Sequence, residues 1–249
     1  MLPGRARIEA LARDALVSLL ERIGPAILLV HSQSGPYAWL VADARPDLVK
    51  SILSIEPNGP PFREVELLGT GENGEPWYRH EDVISRPWGI ARERLTYARD
   101  GMVLENRFEP VAQPAPRVDL VAPLLQPQPA ATLARLAGKP ILMVTEKASY
   151  HAPYDHATSA FLAQAGVAHE HVYLAEHGLR GNGHMVMLEH NNHEIADLLL
   201  DWIRQTSYAP RGPNLQVGTR ASNRAKSRVS TMPLCKIPVL WKAPRQSDT

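Results

Sequence analysis

Residues 26–31, AILLVH, form a short unbroken apolar run that ends at once in the polar turn SQSGP. A run of that length without alternation suits a strand buried on both faces, which is the habit of parallel sheets. Before it, Ile8, Leu11, Ala12, Leu16, Leu19, Leu20 and Ile23 recur at helical spacing over residues 5–23, closed by Gly24-Pro25. After it, YAWLVADAR (37–45) reads as a helix up to Pro46, and VKSILSI (49–55) as a second buried strand. Strand, tight turn, helix and strand make a βαβ unit, and the unit implies an α/β fold with a parallel sheet.

Further along, ILMVT (141–145) and HVYLA (171–175) repeat the buried-strand pattern. Helices are expected at 155–165 and 192–205, the second capped by Asn191 or Asn192. Residues 57–138 differ. They are rich in Pro, Gly and charge, carry Trp77 and Trp88, and show weak periodicity, so they read as an irregular, lid-like insertion. From 207 onward eight Lys/Arg face one acid, Asp248, and the segment reads as a basic disordered tail. The expected domain is therefore 1–206.

Composition excludes several classes. A net charge of +1 gives no argument for a nucleic-acid partner. The single Cys235 excludes an internal disulfide and a cysteine-based zinc site. No apolar run is long enough for a membrane span, and MLPGRARIEA lacks the apolar stretch of a signal peptide, so the cytoplasm is the default compartment. His177, His184, His190, His193 and Glu194 lie close in sequence, but His193-Glu194 does not continue into HExxH, and no metal or other cofactor is expected.

The chemistry-bearing feature is LLVHSQSGP (28–36). A buried strand that breaks sharply into a helix is the setting of a nucleophile elbow, with a serine at the tip and the next backbone N–H available to an oxyanion. Two serines compete. Ser32 at the tip makes Gln33 the oxyanion donor and puts Val30 and Ser34 where small residues are needed; Val30 fits poorly. Ser34 would lengthen the turn and put Pro36 at the second small position. A serine nucleophile needs a histidine base and an orienting carboxylate. His184, in the glycine-rich GNGHMVMLEH after the last strand, is the first candidate for the base, and His177 the second. For the acid, Glu56 ends strand 49–55, whereas Asp155 follows strand 141–145 and could instead cap the helix behind it.

Four motifs in order, HSQSGP, SIEPNGPPF (54–62), SYHAPYDHA (149–157) and GLRGNGHMVMLEHNN (178–192), resemble a small subfamily of bacterial and fungal α/β-hydrolases typified by an Alcaligenes esterase. The resemblance spans roughly residues 8–205. It implies the α/β-hydrolase fold, ester hydrolysis through an acyl-enzyme, and a Ser-Glu-His triad on Ser32, Glu56 and His184, acting on a small-molecule ester. That fold has about four strands before the nucleophile strand, and a loop among them supplies a second oxyanion donor. Here only one helix precedes Ser32, so the chain is expected to correspond to the C-terminal half, with a raw sheet edge prone to self-association and turnover at least about a hundredfold below a complete relative. The contrasting expectation is a catalytically silent interaction protein built on the same scaffold.

Overall fold

The computed structural model describes residues 4–70, 76–105 and 107–207. The basic segment expected to be disordered lies, after Ser207, outside the described residues.

Helix α1 (Gly4–Ile23) leads into strand β1 (Ala26–His31), helix α2 (Gly35–Ala44) and strand β2 (Val49–Ile55). Gly24 ends α1 in a left-handed conformation, and its N–H reaches the Leu20 carbonyl at 2.8 Å. Strands β3 (Arg63–Thr70) and β4 (Pro76–Ile84) pair as an antiparallel hairpin. Four two-residue strands follow, β5 (Ala98–Arg99) with β6 (Met102–Val103) and β7 (Val111–Ala112) with β8 (Leu124–Leu125). Then come β9 (Ile141–Thr145), α3 (Asp155–Gln164), β10 (Glu170–Tyr173) and α4 (Asn192–Ser207).

The main sheet has the order β1-β2-β9-β10, parallel throughout. Its central strands are apolar on both sides because both sides are covered. Ile52, Ile141 and Met143 belong to a core with α2, α3 and Leu20 of α1; Leu53, Ile55, Leu142 and Val144 belong to a second core with Ile195, Leu199 and Trp202 of α4. The period-two alternation along β2 and β9 thus assigns successive residues to opposite cores.

Residues 57–138 are more ordered than their composition predicts. Besides the hairpin, they send Phe62, Ile90, Leu95, Tyr97, Leu133 and Leu136 into the first core, all essentially inaccessible to solvent. Their anchor is Arg86, fully buried, whose guanidinium donates to both carboxylate oxygens of Glu64 (2.7 and 3.0 Å) and to the Pro60 and Arg63 carbonyls. Strand β1 ends the sheet order, and Leu29 on it is 62% exposed. Leu11, Leu19 and Ile23 of α1 are exposed as well.

Candidate active site

The elbow between β1 and α2 is built as its sequence requires. Ser32 sits at the tip with φ +54°, a left-handed conformation that costs a non-glycine residue free energy. Ser34 is used up by the turn itself: its hydroxyl donates to the His31 carbonyl (2.7 Å) and accepts from the His31 N–H (2.9 Å). Of the two serines, Ser34 is therefore the one whose hydroxyl is committed to the turn. Gly35 supplies the close approach that the turn needs. A Cβ there would lie 2.4 Å from Pro57 Cβ, so only glycine lets α2 start against the end of β2. The Asn58 N–H donates to the Ser32 carbonyl at 2.8 Å and ties the elbow to that same loop.

Glu56 terminates β2, also with positive φ (+43°), and is fully buried. Its Oε1 accepts the Glu146 N–H (2.9 Å), and its Oε2 accepts the Ser149 hydroxyl (2.7 Å) and His184 Nδ1–H (2.6 Å). Three donors converge on one buried carboxylate, which is the arrangement that fixes an imidazole's tautomer and leaves Nε2 as a hydrogen-bond acceptor. Nε2 lies 3.3 Å from the Tyr150 phenol. The loop bearing His184 is held by His31, whose Nε2 donates to the His184 carbonyl (2.8 Å), and by Glu189, which accepts the Gly183 N–H.

The competing residues take other places. His177 is exposed and borders a separate groove with Leu179, Glu194 and Trp202. Asp155 is buried, accepts from Thr145 (2.7 Å), and its Oδ1 lies 3.0 Å from His151 Nδ1; it makes no hydrogen bond to His184. It is also not the expected helix cap. It is the first residue of α3, the capping position is Tyr154, and its carboxyl points into the interior, where burial pushes its pKa well above the carboxylate range.

Gln33 follows Ser32 in a short 3-10 turn, and both line a cavity of about 210 Å³ with Glu9, Tyr37, Asn58 and Arg92. Glu9 of α1 is buried there and accepts the Arg92 and Glu93 N–H groups. Arg92 is itself spent on Glu64 and the Ser85 carbonyl, so among the described residues that line it the cavity offers no free cation. Among the described residues, Glu56, His151 and His184 are the one group whose ligand atoms come within 4.8 Å of one another. The two rings stack at 9°, so their in-plane lone pairs run parallel instead of converging on an ion. Both Nδ1 atoms also face carboxyl groups. The donor set fits a histidine–carboxylate pair better than a metal.

The sequence profile described as the alpha/beta hydrolase family matches residues 2–198. The chain belongs to the alpha/beta hydrolase family. This hydrolase-family chain is 42% identical over 188 residues to a fungal protein (strain ATCC 74256) named probable secreted lipase phiG, across 76% of its own length and 48% of the relative's. It thus spans about half the length of the curated relative it matches. Among solved structures it is similar to a novel bacterial esterase (24% identity, 77% of this chain and 42% of that one, TM-score 0.43). Another is a predicted CIB-like hydrolase from Thermoplasma acidophilum (12% identity, 79% and 60% covered, TM-score 0.39). None of its described helices is long and apolar enough to cross a membrane.

In this family member the residues that sequence reasoning missed come from one loop, 146–151. Ser149 and the Glu146 N–H serve Glu56, Tyr150 faces His184, and His151 stacks on His184 with ring centres 4.7 Å apart. Burial drives the His151 pKa down to about 4, so the stacked ring is neutral at pH 7. The motif SYHAPYDHA was visible, but no periodicity links it to Glu56.

Glu146 has a consequence for stability. Its side chain is buried, neither oxygen has a hydrogen-bond partner among the described residues, and burial together with the Glu56 charge pushes its pKa up to about 7. The nearby Asn182 amide tempers the rise without completing a hydrogen bond. A raised carboxyl pKa means that the folded state keeps a proton which the unfolded chain releases. Its contribution is whole below about pH 4.5 and is lost as pH rises through about 7. Glu146→Gln is therefore expected to match the parent near pH 4.5 and to exceed it at pH 8 by on the order of 2–3 kcal/mol. Urea midpoints of the two proteins across that range check the sign.

Proposed function

We propose that this chain carries the working half of a serine ester hydrolase that acts through an acyl-enzyme on Ser32. The observation that carries the reading is the buried Glu56 carboxylate 2.6 Å from His184 Nδ1, with Glu56 just past the end of β2 and its neighbour β1 running into a serine with left-handed backbone. Ser32 Oγ attacks the ester carbonyl, and its proton passes to His184 Nε2. Glu56 holds the imidazole and stabilises the imidazolium that forms. The Gln33 N–H faces the oxyanion. His184 then returns the proton to the leaving alcohol, and water repeats the sequence to release the acid. The cavity of about 210 Å³ beside Ser32 and Gln33 suits a small acyl or alcohol group. The fungal relative, named a probable secreted lipase, points to the same chemistry.

A fluorophosphonate probe tests this without knowledge of the substrate, because it is attacked by an activated serine and stays bound. Purified chain is expected to be labelled at a single site, and Ser32→Ala to abolish the label and the hydrolysis of a short p-nitrophenyl ester. A parent chain that resists the probe would favour the catalytically silent reading.

A further inference from the structure

The cavity beside Ser32 has walls of one chemical kind. Glu9, Gln33, Tyr37, Asn58 and Arg92 line it together with the serine, and every one of them carries a polar group. Its volume of about 210 Å³ is below the roughly 300–1,000 Å³ usual for drug-sized ligands, so it has room for only a few heavy atoms. An alkyl group placed there takes water away from these polar groups and returns no hydrogen bond, which is unfavourable.

Much of that polarity is uncommitted. Glu9 is only 4% exposed, and its Oε2 accepts both the Arg92 and the Glu93 N–H, at 2.8 and 2.9 Å. Its Oε1 receives no hydrogen bond among the described residues. Arg92 Nε stands 3.8 Å from it, and the two outer nitrogens of that guanidinium are turned to the Ser85 carbonyl and Glu64. A buried carboxyl group saturated on one oxygen and open on the other calls for a donor. The side chains of Gln33, Tyr37 and Asn58 also take part in no hydrogen bond among the described residues, although the Asn58 backbone N–H is tied to the Ser32 carbonyl. Two amides and a phenol both donate and accept. A ligand that satisfies such a mixture must do both as well, which is the property of a hydroxyl. An ammonium group only donates, and a carboxylate only accepts and would confront Glu9.

We propose that this cavity is the subsite for a small hydroxylated group of the ester, with Glu9 Oε1 as the acceptor of one hydroxyl and Tyr37 and Asn58 as its further partners. The proposal rests on the serine-hydrolase reading above and narrows its substrate to an ester of a short polyol or of a short hydroxy acid.

Two pairs of esters of matched shape test it on the purified chain. Glyceryl acetate against 2-methylbutyl acetate puts the hydroxyls on the alcohol side. Methyl glycerate against methyl 2-methylbutanoate puts them on the acyl side. Each ratio of kcat/KM is divided by the ratio of hydroxide-catalysed rates, which removes intrinsic reactivity. One pair is expected to favour its hydroxylated member by about ten- to a hundredfold, the worth of a hydrogen bond to a charged group. Which pair does so tells whether the alcohol or the acyl half enters the cavity. Glu9→Gln is expected to lower that preference about tenfold, because its amide oxygen is taken by the two backbone N–H groups and the NH2 left for the ligand carries no charge. Tyr37→Phe is expected to lower it about fivefold, and it decides the matter if the urea midpoint shows that Glu9→Gln is unfolded. Binding of the same esters to Ser32→Ala, followed by saturation-transfer NMR, reads the preference without turnover and is expected to favour the same member by at least about tenfold. A chain that prefers neither hydroxylated ester, in turnover or in binding, overturns the proposal, and so does a preference that both variants keep. Failure of the underlying reading looks different: the parent resists a fluorophosphonate and hydrolyses no ester faster than Ser32→Ala, whatever residue 9 is.

Discussion

Glu56→Gln is expected to slow phosphonylation of Ser32 by roughly ten-thousandfold while leaving the chain folded, the scale on which loss of the orienting acid acts in the serine–histidine–aspartate template. The substitution preserves volume, so packing around β2 is kept. What it breaks is the pattern of acceptors. Glu56 receives a backbone N–H on Oε1 and both a hydroxyl and an imidazole N–H on Oε2. An amide can accept on one side only. If its oxygen faces the Glu146 N–H, its NH2 confronts His184, and the ring must switch tautomer, with Nδ1 as acceptor and Nε2 protonated. A protonated Nε2 cannot take a proton from the serine side. If the amide turns the other way, two donors meet at the Glu146 backbone in a buried site, at a cost of about 1–3 kcal/mol. Asp155→Asn is the informative control. Asp155 makes no hydrogen bond to His184 and is pushed toward its neutral form by burial, so its loss should change the rate by less than about tenfold. A large loss with Asp155→Asn and a small one with Glu56→Gln would reverse the assignment of the acid.

Glu64→Ala is expected to cost 3–5 kcal/mol of folding free energy, roughly the penalty for stranding one member of a buried ion pair. Arg86 has no exposed surface, and Glu64 is the carboxylate that grips it on both oxygens while also receiving Arg92. The Arg86 and Arg92 charges hold the Glu64 carboxyl below its ordinary range although burial works the other way. With Glu64 gone, the Arg86 guanidinium keeps only the Pro60 and Arg63 carbonyls. Glu66→Ala, two residues along the same strand, removes an exposed partner of Arg79 and should cost less than about 1 kcal/mol. Urea denaturation of both variants checks the contrast. Equal losses would mean that the hairpin, and not the buried guanidinium, is what the segment 57–138 depends on.

The parallel sheet was legible because β1, β2 and β9 are short unbroken apolar runs; β2 and β9 are buried on both faces as such runs suggest, whereas β1, at the end of the sheet order, is only partly buried and leaves Leu29 exposed. Glu56 and His184 were legible as neighbours for a related reason. Strand ends of a parallel sheet share one edge, so a carboxylate closing one strand and a glycine-rich loop after another must approach. Neither argument reaches Tyr150 or His151. Their positions come from a loop that wraps around Glu56, and loops carry no repeat from which a contact could be inferred. The order within 57–138 was hidden differently. Prolines and charges are frequent in it, yet Leu95, Tyr97 and Leu133 enter the core one at a time from irregular backbone beside two-residue strands, with no stretch long enough to show an alternation. Asp155 misled because a carboxylate at the start of a helix reads as a cap, and only burial shows that it turns inward.

The contact between Gly35 and Pro57 places a constraint on how such a site can drift. Ser32 and Glu56 leave adjacent strands and are then gauged against each other across a gap with no room for a methyl group. The Asn58–Ser32 bond repeats that gauge one residue further on. Any loosening at this point displaces both groups together, so their mutual alignment has a single tolerance instead of two. One extra carbon at position 35 would shift Ser32 against Glu56 without touching either side chain.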